Sequence, residues 1–523
     1  MIYILIFLCF LCFFLRAFPR LRLKNIFLSD TYFHLYCAEI IRDNGFRLPE
    51  KFSKVILNHA YTYPFGYHYF LSLFPLRFRL WFERMTGALF DTVSLILIYL
   101  FSTWAVQYFE KDGSWPKVPL MVTLLVAFSP GLLRIGNSPR AYNGSPRVLG
   151  QTLYLLHLLG AFYAYMNKDF FVLTLSLLSG ALLIITSKFG SQVLVFFGIG
   201  FILFFETYYI LLLAGCFLLA LLGMRRKAGR VILGHIRHSL FYVKHLQAVF
   251  LNPWVKTFPG YCLVLLGQGW RLLNGFQFAN VSKWFFSERY FLHILITVYP
   301  QFFLIFYYVQ QFRMMNYLDH FLLVWMGLGL TCFLITTLRP FLFLGESERY
   351  LEYTLFPSLF LLVKFLLKGS EGLIGAFLIY SILYAFLALG QYQRQYRQKD
   401  EDFIENEAIF KSLDQLPKGV LFPIGPFHYQ ALYCTRFPIL THGGNIDERL
   451  LSRDEFMLVY GNYPYPSEHF LEIVKRYQVS YIISAPEFLN YYRKKIMKKA
   501  DDFDRNVQIL WETPTLLIGK IAR

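Results

Sequence analysis

Several stretches of the sequence hold ionisable side chains at spacings that could support chemistry. In LSDTYFHLYCAEIIRDNG (28–45), Asp30 and His34 stand four residues apart, which puts them on one face of a helix. Ser29 or Asp30 suits the start of that helix, and Asn44-Gly45 suits its end. A carboxylate and an imidazole side by side can orient and accept a proton. The same spacing fits a capped amphipathic helix lying at a membrane surface. In NHAYTYPFGYHYF (58–70), His59 and His68 flank a Tyr-Pro-Phe-Gly turn, which reads also as the entry to an amphipathic segment.

Two more stretches carry cations. LRPFLFLGESERYLEY (338–353) crowds Glu346, Glu348, Arg349 and Glu352 at the start of an apolar run. Arg349 offers a forked donor set for a phosphate, while acids there also suit an ordinary helix start. RIGNSPRAYNGSPRVLG (134–150) places Arg140 and Arg147 each after Ser-Pro. They fit a phosphate or acceptor pocket, or contact with lipid headgroups. Lys188 in TSKFGSQ resembles them. Asp91, His157 and His293 lie within apolar runs, where they line a cavity or bond between helices.

These residues sit in a very apolar chain. Of its 523 residues 56% are hydrophobic and 16% charged, with a mean hydropathy of +0.44, which implies a membrane protein. The 58 Phe and 37 Tyr suit lipid contact and interfacial belts. The net charge of +18 suggests anionic headgroups or a phosphate-bearing substrate as partners. No nucleic acid is expected, because the basic residues are scattered between apolar runs. Seven cysteines without a CxxC pair indicate neither a disulfide framework nor a zinc site. Met1 to about Phe18 reads as a retained signal-anchor helix.

Spans of roughly 20 apolar residues are expected at 1–18, 85–108, 118–134, 148–166, 169–187, 191–205, 207–223, 290–310, 316–337, 350–367 and 372–390. Splitting 191–223 at Glu206 keeps that carboxylate out of the bilayer. About eleven spans put 19–84, the basic loops, 338–349 and the tail on one face, and leave short turns on the other. The positive-inside rule would make the elaborate face cytoplasmic, since Arg16, Arg20, Arg22 and Lys24 lie there. The expected domains are a multispan part, 1–390, and a small soluble α/β domain, 391–523. In the tail, 419–424 and 479–485 read as strands, 466–478 as a helix capped by Ser467, and the terminal VQILWE and TLLIGKI as a hairpin.

The order of an N-terminal span, Asp-x-x-x-His on a helix, NGFRLP and a Tyr-Pro-x-Gly-x-His turn resembles the first external loop of the GT-C superfamily of membrane glycosyltransferases. That superfamily includes oligosaccharyltransferase catalytic subunits and protein O-mannosyltransferases. The resemblance implies an α-helical polytopic membrane protein acting on the extracytoplasmic side, against the positive-inside count. It implies hexosyl or pentosyl transfer from a polyprenyl-phosphate-linked donor to a glycan, lipid or protein acceptor of the cell envelope. Asp30 would be the catalytic or metal-binding acid, with His34 in support and a divalent cation (Mg or Mn) as cofactor. Arg349, Arg140 and Arg147 would meet the donor phosphate, with His59, His68, Glu346 and Glu348 as further candidates. The WWD-x-G signature of oligosaccharyltransferases is absent. Two other classes compete: a transporter or flippase for a lipid-linked saccharide, and a non-catalytic envelope-assembly subunit. A transporter would more often show paired broken helices and inverted repeats, which the sequence does not clearly show.

Overall fold

The computed structural model describes residues 2–21, 29–57, 59–110, 117–133, 145–245, 291–309, 316–441, 446–497 and 500–522. The chain forms two compact units. The first comprises Met1–Arg22, Arg84–Ala228 and Pro253–Gln395; the second comprises Leu23–Glu83, Gly229–Asn252 and Tyr396–Arg523.

The first unit is helical. Its helices are α1 (Ile2–Leu21), most of α4 (Leu76–Phe109), α5 (Val118–Ala127), α6 (Pro130–Leu133), α7 (Pro146–Asn167), α8 (Phe170–Thr186), α9 (Lys188–Phe204) and α10 (Tyr209–Met224). Helices at Tyr317–Thr336, Leu355–Gly369 and the apolar part of Glu371–Leu413 complete the larger elements. Among the described residues, four helices are long and apolar enough to cross a membrane: α1, α4, Tyr317–Thr336 and Glu371–Gln393. The expected eleven full-length spans are therefore not reproduced. The apolar runs do form helices, and those expected at 169–187, 191–205 and 207–223 are α8, α9 and α10. Ser187 closes α8 and its hydroxyl accepts from the Gly190 amide to start α9. Pro130 divides α5 from α6, and Pro300 divides Phe291–Thr297 from Gln301–Val309. A 17-residue helix such as α8 rises about 26 Å, short of a hydrocarbon core of about 30 Å. Glu206 does lie between α9 and α10, where it accepts a 2.9 Å hydrogen bond from the Tyr317 hydroxyl.

Several buried charged groups inside this unit are paired. Arg16 of α1 meets Asp91 of α4 at 3.3 Å and also donates to the Ala127 carbonyl. Arg147, at the start of α7, grips Glu352 with Nε and a terminal nitrogen, and Gln151 donates to the same carboxylate at 2.8 Å. Lys364 donates to both carboxylate oxygens of Asp319, at 2.7 and 2.9 Å, and pairs with Glu110. A cavity of about 40 Å³, room for about one water molecule, is lined by Arg16, Asp91, Gln151 and Glu352 among apolar neighbours.

The second unit is α/β. Strands β1 (Val420–Ile424), β2 (Val479–Ser484), β3 (Val507–Glu512) and β4 (Leu517–Ile521) form one sheet in the order β1-β2-β4-β3. β1 runs parallel to β2, while β4 is antiparallel to both β2 and β3. The strands lie where the alternating apolar runs of the tail place them, and the terminal pair is the expected hairpin. The helix before β2 spans Phe470–Arg476, and Ser467 accepts from the His469 amide just ahead of it. The sheet core draws on more than the tail. Leu57 and Phe241 are buried in it with Phe422, Ile482 and Phe456. Lys54 to Leu57 bond by backbone to Ile439 and Leu440. The segment after α1 and helix α11 (Arg226–Lys244) thus belong to the same folded body as the tail.

Lys364 gives the first unit a direct test. Lys364→Met would leave Asp319, 3% exposed, without its counter-charge. Losing one member of a buried pair costs about 3–5 kcal/mol. A clear fall in the thermal midpoint of the detergent-solubilised protein is expected, and Asp319→Asn in the same chain should recover part of it.

Candidate functional site

Helix α2 (Ser29–Asp43) carries the first cluster. It ends where Gly45 takes φ +63° and the Asn44 side chain donates to the Arg47 carbonyl at 2.9 Å. Residues 31–38 are all buried, so this part of the helix is enclosed on every side. Asp30 is exposed on the first turn and His34 is buried one turn later.

His34 does not stand alone. Its Nδ1 lies 2.7 Å from Nε2 of His68, on the short helix α3 (Gly66–Ser72). His68 Nδ1 in turn bonds the Tyr61 hydroxyl. Tyr63 stacks on His68 with ring centroids 5.6 Å apart, and Phe33 packs between Tyr63 and Tyr429 at 5.2 and 4.8 Å. Burial in these rings lowers the His34 pKa to about 3. Burial, and then the neighbouring His34, push His68 well below its ordinary range. Burial likewise raises Tyr61 well above the usual phenol value. Each neutral imidazole carries one donor and one acceptor, so Tyr61, His68 and His34 form a directional run in which one proton position sets the next.

Asp30 looks onto other side chains. Its charge helps to raise the pKa of Tyr429, from the helix His428–Cys434, and of Tyr242, from α11; burial is the larger cause for both. An acid exposed at a helix start can hold an acceptor hydroxyl and take its proton. Tyr61 and Tyr63 lie inside the stretch that first singled out His59 and His68, where only the histidines drew notice. Tyr242 and Tyr429 gave no local signal, because their sequence neighbours are ordinary aromatic and basic residues.

The other expected residues are placed as follows. His59 is half-buried, its Nδ1 3.2 Å from the Ile56 carbonyl, and is not part of the His34–His68 pair. In the first unit, Arg349 is half-buried, 2.6 Å from Glu346 and over the Phe189 ring at 5.7 Å. Glu348 is buried. Arg147 has its fork on Glu352, so a phosphate would compete with a buried carboxylate for it. Arg140 lies outside the described residues. Asp91 is taken by Arg16, and His157 Nδ1 lies 2.9 Å from the Ser176 carbonyl, an interhelical bond.

A divalent cation does not find a ready cage here. Among the described residues no group of three or more His, Cys, Asp or Glu side chains could hold one. Hard cations want several oxygen ligands, at least one or two of them carboxylates. Around Asp30 the structure shows one carboxylate, phenols, and two histidines committed to each other.

No protein-family model matches the sequence, and no curated protein does. Solved structures do match. The fold is similar to that of the oligosaccharyltransferase AglB from Archaeoglobus fulgidus in complex with an inhibitory peptide and a dolichol-phosphate. The two share 12% identity at a TM-score of 0.56, over 100% of this chain and 74% of that one. The same enzyme with Zn and sulfate matches at 12% identity and TM-score 0.57, over 99% and 72%. Tethered to an acceptor peptide containing the NVT sequon, it matches at 12% identity and TM-score 0.58, over 100% and 74%. This chain shares the fold of that oligosaccharyltransferase. At 12% identity the likeness is one of architecture, and site chemistry has to be argued from the residues themselves.

The buried imidazoles predict a pH response. His34 and His68 have folded-state pKa values below the unfolded value, and burial lowers His428 too, to about 4. The unfolded chain then binds more protons below about pH 6.5, so the stability these groups support is present above that pH. It is lost as pH falls toward the folded values. The thermal midpoint is expected to drop between pH 7.5 and 5, and the apolar double variant His34→Leu/His68→Leu should show a flatter pH slope.

Proposed function

We propose that the chain is an integral-membrane glycosyltransferase that moves a sugar from a polyprenyl-phosphate-linked donor to a glycan, lipid or protein acceptor of the cell envelope. The observation that carries this reading is the exposed Asp30 at the head of α2. It follows an apolar helix closely in sequence, within a GT-C fold. AglB, the structural neighbour, is an oligosaccharyltransferase seen with dolichol-phosphate and with an acceptor peptide, which supports a lipid-linked donor here.

In this reading Asp30 is the base that activates the acceptor hydroxyl. His34 supports it from the next turn, and His68 and Tyr61 hold the His34 proton in place. Tyr242 and Tyr429 give the acid polar neighbours that orient an acceptor. Arg349 meets the donor phosphate, with Glu346 holding the guanidinium between uses; a forked cation offsets charge building on the leaving group. Donor use from the extracytoplasmic side follows from the family likeness and explains why cations gather on the elaborate face.

Asp30→Asn keeps the shape of the side chain. It removes the charge and the basicity. Transfer from lipid-linked sugar, in membranes holding equal amounts of protein, should fall by about 10²–10⁴-fold with normal insertion. Wild-type-like transfer would end the proposal for Asp30 and make Glu346 and Glu348 the next acids to test. His34→Gln should cost less.

Arg349 is tested separately. A charge-assisted hydrogen bond contributes roughly 1.5–3 kcal/mol, or about 10- to 150-fold. Arg349→Gln should weaken donor use by that factor, while Lys494→Gln on the tail should leave it nearly unchanged. Equal effects would reduce Arg349 to a helix-start residue.

A further inference from the structure

Helix α11 is apolar on two opposite faces. Ala228, Val231, His238 and Phe241 recur at steps of three, seven and three residues and are buried, with Phe241 in the sheet core. Gly234 sits so close to Thr62 that a Cβ there would lie 2.6 Å from the threonine's own Cβ, so this face is tightly packed. Leu233, Ile236, Leu240 and Val243 also recur at helical steps, on the other side, and are 40–53% exposed. A helix that packs on one face ordinarily shows a polar opposite face. This one shows a second apolar ridge.

Charge lies along one edge of that ridge. Arg226, Arg230, Arg237 and Lys244 fall on a single flank at steps of four, seven and seven, and α11 contains no acid. Three of the four have acidic partners: Arg230 bonds Glu50, Arg237 bonds Asp447 and Lys244 bonds Glu448. At the other end, Arg225, Arg226 and Lys227 are consecutive and exposed. In sequence they separate the apolar α10, which ends at Met224, from the ridge. Apolar helix, cationic triplet and apolar ridge thus follow in order, which matches the acyl region, the anionic headgroups and the acyl–headgroup boundary.

We propose that α11 is an interfacial helix whose Leu233–Ile236–Leu240–Val243 ridge seats in the bilayer while Arg225, Arg226 and Lys227 bind anionic lipid headgroups. The ridge supplies apolar area and the cations supply attraction, the two components of interfacial binding. Each cation near an anionic leaflet contributes about fivefold, equivalent to about 1 kcal/mol. Binding also gives Tyr242, on the same helix, a fixed depth relative to the membrane.

The test uses the full chain in nanodiscs of mixed phosphatidylglycerol and phosphatidylcholine. A benzoylphenylalanine photo-probe replaces Ile236 or Leu240 in turn, with Ile509, an exposed side chain on β3, as the control position. Lipid adducts at 236 and 240 with few at 509 are expected, enriched in phosphatidylglycerol. Adducts only to peptides of this chain or to a second copy, or equal lipid labelling at 509, overturn the proposal. The triple variant Arg225→Gln/Arg226→Gln/Lys227→Gln should cut the phosphatidylglycerol enrichment by about tenfold or more. Unchanged enrichment in that variant overturns the assignment of anionic headgroups.

Discussion

A charge buried inside an apolar helical unit is stabilised where an opposite charge meets it, and in the first unit three such pairs join helices distant in sequence. Moving an ion into such a setting costs several kcal/mol even after relaxation. Arg16 can be buried on α1 because Asp91 on α4 and the carbonyls that end α5 face it. Lys364 ties the helix Leu355–Gly369 to Asp319 on Tyr317–Thr336 and to Glu110 beyond α4. Apolar packing alone tolerates sliding between helices. A buried pair with hydrogen bonds to both partners does not, so these pairs set register more than they add stability. Arg147 and Glu352 make a third tie, and Gln151 completes the carboxylate's bonding.

That pairing changes how the basic loops are to be understood. Read from the sequence, Arg147 and Arg349 looked equivalent, each a cation beside an apolar run. In the structure one is buried against an acid from far along the chain, and the other is half-buried against an acid three residues away. A side chain held by a distant buried partner is costly to redirect. One held by a near and half-exposed partner can exchange that partner for a phosphate at small cost, because exposed pairs contribute only about 0–1 kcal/mol.

What the sequence revealed was local. The extent of α2, its end at Asn44-Gly45 and the one-turn spacing of Asp30 and His34 all depend on residues within a few positions of each other, and they were legible. So were the tail's strands and the break at Glu206. The order β1-β2-β4-β3 was not, because it depends on which strand edges meet after the chain has doubled back. The composition of the second unit was hidden for the same reason: the bonds from 54–57 to 439–440 join segments nearly four hundred residues apart. The span count of eleven is not confirmed: among the described residues four helices are long and apolar enough to cross a membrane. Hydropathy sees an apolar run, but Pro130 and Pro300 divide the expected runs 118–134 and 290–310, while the division at Ser187 is the one the sequence placed.

The candidate site shows the same division between local and distant information, and the distant part determines its chemistry. Asp30 and His34 looked like a working pair because they share a helical face. The structure sends them to different environments: Asp30 to the exposed head of the helix, His34 into a ring-lined interior beside His68. A buried imidazole held neutral is a poor partner for direct proton exchange with a solvated acid. It is well suited to hold a fixed N–H or lone pair toward His68, because its own protonation does not change near neutral pH. Tyr61 and His68 make that fixed orientation possible, and both come from the turn-containing stretch after α2. The acid's polar neighbours, Tyr242 and Tyr429, come from α11 and the tail. The physical reason that 23–83, 229–252 and the tail fold as a single unit is the shared core, in which Leu57 and Phe241 are buried with Phe422 and Ile482, and the backbone bonds from 54–57 to 439–440.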